Sequence, residues 1–144
     1  VVLNIEGGYI LANNQGALNT SALVTVTGGK IEGKNGPGVT KSWSGTYTIN
    51  VSGGEIIGTS QGITGMDIIN VSGGTITSEA YGINVISSEN PNTNTYVSNT
   101  TSVNVTGGTI IGYYGIYMND NHTGSTITIS EDDGTTFIKG TGNL

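Results

Sequence analysis

Residues 49–56 read Ile-Asn-Val-Ser-Gly-Gly-Glu-Ile, and residues 69–76 read Ile-Asn-Val-Ser-Gly-Gly-Thr-Ile. Three further stretches share the form: LNIEGGYI from Leu3, VTVTGGKI from Val24 and VNVTGGTI from Val103. A sixth, ITISEDDG from Ile127, keeps the alternation and replaces the glycine pair with acids. The first glycines of the five pairs are Gly7, Gly28, Gly53, Gly73 and Gly107, spaced 21, 25, 20 and 34 residues apart. A self-similar period of this length is the signature of a stacked repeat architecture.

The pattern extends beyond the glycine pair. An isoleucine follows two residues after the second glycine: Ile10, Ile31, Ile56, Ile76 and Ile110. Further on comes another glycine with an apolar neighbour: Gly16-Ala17, Gly38-Val39, Gly62-Ile63, Gly82-Ile83 and Gly115-Ile116. In a strand, Ile49 and Val51 face one way and Asn50 and Ser52 the other. Leu3/Ile5, Val24/Val26, Ile69/Val71, Val103/Val105 and Ile127/Ile129 repeat the alternation. A helix does not suit these runs, since each interior glycine costs it about 1 kcal/mol. The spacing instead predicts three short strands and three glycine corners per coil, with successive coils paired at roughly 4.8 Å. The expected fold is therefore all-β: a single-stranded right-handed parallel β-helix, or β-solenoid. It has five to six coils starting near residues 3, 24, 49, 69, 103 and 127, in one domain over 1–144. Six coils give a rod roughly 30 Å long on that spacing. An antiparallel sandwich also uses short alternating strands and glycine turns, but it needs no repeat held in phase.

Composition narrows the function. The formal net charge is -6, with four lysines, no arginine and one histidine, His122. Nucleic-acid binding needs clustered cations, and so does docking on anionic membranes. Neither partner is expected, and no apolar run is long enough for membrane insertion. Without cysteine, disulfides and thiolate metal sites are excluded. The chain begins Val-Val rather than Met and reads as a mature product or an excised segment.

The run of alternating apolar residues, Ser/Thr-Gly-Gly-x-Ile-x-Gly and a later Gly-apolar step resembles the repeats of right-handed parallel β-helix proteins of the pectate-lyase-like class. More narrowly, it resembles the Gly/Thr/Asn-rich repeat regions of large bacterial surface and adhesin-type proteins. The resemblance covers nearly the whole chain and implies the fold. It leaves function open, because this fold hosts lyases, hydrolases, adhesins and tailspikes.

Function is grafted where a repeat is broken. The largest break is an inserted loop, residues 87–102, rich in Asn, Thr, Ser and Pro. A second stretch, residues 33–48, holds the only tryptophan, Trp43, with Tyr47, Lys34 and Lys41. Trp43 and Tyr47 are the candidates for stacking on a sugar ring. A third holds Tyr113, Tyr114 and Tyr117, one coil beyond Tyr81, which reads as a tyrosine ladder on one flank. The acidic stretches around Asp120 and around Asp132 and Asp133 supply the candidate ligands for Ca²⁺. The first only partly mimics a calcium loop, since the bidentate Glu position falls on Ser130.

No enzyme is expected. The lyases resembled here use several carboxylates for Ca²⁺ and a basic proton acceptor, usually arginine, which this chain lacks. Glycoside hydrolysis needs two carboxylates at a set separation across a cleft. Here Glu6, Glu32, Glu55 and Glu79 are isolated on outward positions. The outward columns read Asn4, Thr25, Asn50, Asn70, Asn104, Thr128 and Glu6, Thr27, Ser52, Ser72, Thr106, Ser130. Hydrogen-bonded ladders are expected there, since an ice-binding face would want a purer threonine array. The same stripe creates N-glycosylation acceptors at Asn50, Asn70 and Asn104, joined by Asn19, Asn99 and Asn121.

Solenoids expose unpaired strand edges at their ends, which natural examples cap. No amphipathic helix precedes residue 3, and TTFIKGTGNL offers no clear cap. Two partners are expected to supply the next coils: flanking repeats of a longer chain, or copies of itself end to end. The chain is thus read as a unit of an extracellular or cell-surface fibre or adhesin. A carbohydrate-binding module is the alternative reading, and a relative of polysaccharide lyases or hydrolases the third.

Overall fold

The computed structural model describes residues 1–42, 45–85, 88–90, 95–97, 100–118, 124–130 and 136–142, with backbone alone over 88–90 and 95–97. The first coil contains β1 (Val2–Ile5), β2 (Tyr9–Ala12) and β3 (Leu18–Thr20). The second contains β4 (Leu23–Val26), β5 (Lys30–Gly33) and β6 (Val39–Lys41). The third contains β7 (Thr48–Val51), β8 (Glu55–Gly58) and β9 (Gln61–Thr64). The fourth contains β10 (Ile68–Ser78) and β11 (Tyr81–Val85), followed by β12 (Ser88–Asn90) and β13 (Thr95–Val97). The fifth contains β14 (Ser102–Gly112) and β15 (Tyr114–Met118), and a partial sixth adds β16 (Thr126–Ile129) and β17 (Thr136–Gly140).

Strands stack coil on coil in parallel register, making an all-β parallel solenoid of about five turns, with no helix among the described residues. One ladder runs Leu3, Val24, Ile49, Ile69, Val103, Ile127. A second runs Ile10, Ile31, Ile56, Ile76, Ile110, Ile138. A third joins β3, β6, β9, β11 and β15. In the fourth and fifth coils the first two strands continue through the glycine pair as single 11-residue strands.

The interior is a thin aliphatic column. The third coil supplies Ile49, Val51, Ile56 and Ile63, all buried, and Met66 fills the corner beyond them. Each such side chain contributes about 1.5–3 kcal/mol through burial. The glycine pair has a divided role. The second glycine takes the left-handed backbone, with φ between 75° and 84° in all five coils. In the second, third and fourth coils the first has no room for a side chain: a Cβ on Gly53, for example, would lie 2.2 Å from the Thr27 carbonyl oxygen one coil away.

Three sequence expectations need correction. In the first coil, Leu18 rather than Ala17 stands opposite Val39, because the Ala17 amide bonds to the Pro37 carbonyl and shifts the strand by one residue. Residues 87–102 are not a plain loop. β12 and β13 pair antiparallel within them, in keeping with the strand propensity of Thr95-Tyr96-Val97, and Ser102 already belongs to β14. In the sixth coil, Ile129 pairs with Val105 as the alternation requires, yet it is 50% exposed. Its strand lies at the edge of the ladder, with no further strand over it among the described residues.

Candidate functional site

The outward face of the third ladder carries a cluster of four tyrosines. Tyr81 and Tyr114 are register partners in consecutive coils, and their rings stack with centroids 5.7 Å apart and 11° between planes. Tyr117 stands in the next column, opposite Asn84, and tilts against both rings at 4.9 and 5.4 Å. Tyr113, at the corner before β15, meets Tyr114 edge-on at 4.9 Å. The expected tyrosine ladder therefore exists. Each aromatic pair contributes about 0.5–1.5 kcal/mol beyond its buried area. Tyr113 and Tyr114 nevertheless remain 44% and 46% exposed.

The column that ends on Tyr117 is unusual. It runs from Asn19 through Thr40, Thr64 and Asn84. Thr64 and Asn84 are buried polar residues, and Thr64 Oγ1 and Asn84 Oδ1 have no hydrogen-bond partner. Unmade bonds of this kind cost about 1–3 kcal/mol each.

A second cluster lies on the second ladder. The Tyr9 hydroxyl donates to Glu32 Oε2, and Lys30 Nζ lies 3.1 Å from the same oxygen and 5.2 Å from the Tyr9 ring centroid. The Tyr9 hydrogen bond, then the one from Lys30, holds the Glu32 carboxyl below its usual range. The bond to Glu32 pushes both Tyr9 and Lys30 up. Beside it is a groove of about 330 Å³, lined partly by Glu32, Lys34, Thr59, Ser78 and Glu79. Its hydroxyls already serve the corner: Thr59 Oγ1 donates to the Lys34 carbonyl, and Ser78 Oγ donates to the Thr59 carbonyl at 3.2 Å.

The third cluster was invisible in the sequence. Lys41 Nζ lies 3.1 and 3.3 Å from the two oxygens of Asp67, with side-chain exposures of 11% and 9%. Asp67 Oδ2 also accepts the Tyr47 amide at 2.8 Å, and the Tyr47 carbonyl accepts the amides of Asp67 and Ile68. This arrangement fastens the corner between the second, third and fourth coils. No sequence signal pairs Lys41 with Asp67, which lie 26 residues apart.

Tyr47 is half-buried and packs against the core. Trp43, Asp120, Asp132, Asp133, Asn99 and Asn121 lie outside the described residues. Among the described residues no three metal-ligating side chains come together. Asn50, Asn70 and Asn104 form the expected ladder, with Asn70 Nδ2 donating to Asn50 Oδ1 at 2.8 Å and Asn104 Nδ2 to Asn70 Oδ1 at 2.9 Å. Two of these amide nitrogens are thus engaged within the ladder, while Asn19 is exposed on β3. Searches against family models, curated proteins and solved structures give no match to the chain.

Proposed function

We propose that the chain is a non-catalytic structural unit of an extracellular or cell-surface fibre or adhesin, its solenoid continued end to end by a second copy or by flanking repeats. One observation carries this reading. Among the described residues, every exposed large hydrophobic side chain falls within residues 1–23 or 113–137, and none lies between. At one end, Val2 and Tyr9 are 61% and 54% exposed; at the other, Ile129 and Phe137 are 50% and 52% exposed. The same ends hold the unpaired edges of β1, β2 and β3 and of β16 and β17. Open edges of this kind are templates for another strand. A head-to-tail contact between copies repeats without closing and builds a filament.

The sequence resemblance to β-helix repeats of bacterial surface proteins supports the setting. The lack of arginine supports a non-catalytic role. Negative-stain microscopy across a concentration series tests the self-stacking version. Rods in multiples of roughly 30 Å are expected. Compact monomers at every concentration would sink self-stacking. A tandem fusion of two copies then tests continuation itself: an unchanged Tm relative to one copy would remove it.

A further inference from the structure

We propose that the tyrosine flank of the fourth and fifth coils is a binding platform for a neutral polysaccharide. Tyr81, Tyr113, Tyr114 and Tyr117 form one contiguous aromatic surface across two coils. Tyr113 and Tyr114 are left nearly half exposed because β15 is the outermost strand of the third ladder among the described residues. None of the four phenol hydroxyls hydrogen-bonds to another described residue. The surface therefore offers exposed aromatic carbon together with hydroxyls that no described residue engages, which complements a pyranose: a C–H face ringed by hydroxyls.

A second, independent observation lies beside it. Thr64 and Asn84, each more than nine-tenths buried, carry oxygens without partners in the column that leads to Tyr117. Buried polar groups are normally satisfied, and an exception next to an aromatic surface calls for a missing partner. A sugar hydroxyl that reached Asn84 beside Tyr117 would donate to its Oδ1, whereas Thr64 lies one coil further along the column.

Charge selects the ligand class. The two columns that carry the rings hold Gln61, Tyr81, Tyr114 and Thr64, Asn84, Tyr117, with no lysine to balance a carboxylate or sulfate. The net charge of -6 opposes an acidic chain further. The proposal does not rest on the fibre reading, since a solenoid that never stacks still presents this flank.

Native gels cast with hydroxyethylcellulose, xyloglucan, galactomannan or glucomannan test the proposal, with polygalacturonate as the acidic arm. The full chain should be retarded by at least one neutral polymer and not by polygalacturonate. Tyr114→Ala should weaken retention at least tenfold, while Tyr114→Phe retains most of it. Tyr113→Ala, at a corner outside the ladder pairing, is the second variant should Tyr114→Ala lose its native circular dichroism. No retardation by any neutral polymer overturns the assignment, as does retention that survives both alanine variants. Binding of a decaproline peptide with the same tyrosine dependence, and of no glycan, would reassign the surface to a protein partner.

Discussion

Gly7 and Gly53 occupy the same place in the repeat, yet alanine should affect them in opposite directions. Neither has positive φ, so alanine strains neither backbone. At Gly53 the new Cβ would lie 2.2 Å from the Thr27 carbonyl oxygen and 3.0 Å from its carbon. That is roughly 1 Å inside ordinary contact, and the obstacle is backbone rather than a side chain that can turn away. The first ladder must part locally, and overpacking of this kind costs about 1–3 kcal/mol or somewhat more. At Gly7 nothing lies within 4 Å of the new Cβ, because no coil stacks on that side among the described residues. There alanine only narrows the unfolded ensemble, a gain of about 0.4–1 kcal/mol. Gly8→Ala is the control within the same terminal coil. Its Cβ also meets nothing, but φ is 82°, so left-handed strain of about 1–2 kcal/mol remains. Urea unfolding followed by far-UV circular dichroism, at constant m-value, measures all three. The Gly7/Gly8 contrast guards against fraying, which would hide any effect in an end coil. Equal effects at Gly7 and Gly53, or a neutral Gly53→Ala, would refute the account of coil stacking given above.

Two further perturbations probe the polar clusters. Asp67→Ala should destabilise by about 3–5 kcal/mol, because it strands a mostly buried Lys41 ammonium, whereas Lys41→Met with Asp67→Leu should cost less than the single change; chemical denaturation of both variants checks this. Glu32 should titrate below an ordinary glutamate, and Tyr9→Phe should move its midpoint up, read by carboxyl ¹³C NMR. With its folded pKa depressed, Glu32 stabilises above its unfolded pKa and loses that contribution as pH falls through the folded value. Tyr9 and Lys30, raised, act in the opposite sense: their contribution is full below their unfolded pKa values and lost as pH rises through the folded ones. All three groups are at the surface, so the global Tm should barely respond.

Much of the fold was legible because a solenoid writes its geometry into a local period. Ile49, Val51, Ile56 and Ile63 could be assigned to the interior from alternation and phase alone, and all four are buried. The asparagine and tyrosine ladders were equally legible, since like residues one coil apart must stack. Legibility failed where phase slipped. Ala17 stood in the right phase after its glycine, but the bond from its amide to the Pro37 carbonyl set Leu18 against Val39. Met66 lay outside the repeat columns, yet it is buried at the corner.

The sequence by itself determined the class of architecture, the identity of the core columns and the glycine positions, because each follows from a two-residue strand period repeated coil by coil. Only the tertiary structure decided which side chains meet across coils. Lys41 found Asp67, Tyr9 found Glu32, and Asn84 came to lie against Tyr117 without its oxygen being satisfied. Such contacts depend on how far each corner advances the chain before the next coil begins. That advance varies with the irregular 20- to 34-residue spacings, and no local pattern encodes it. The repeat thus announces the rod, while the register of its coils sets the surface through which it is proposed to act.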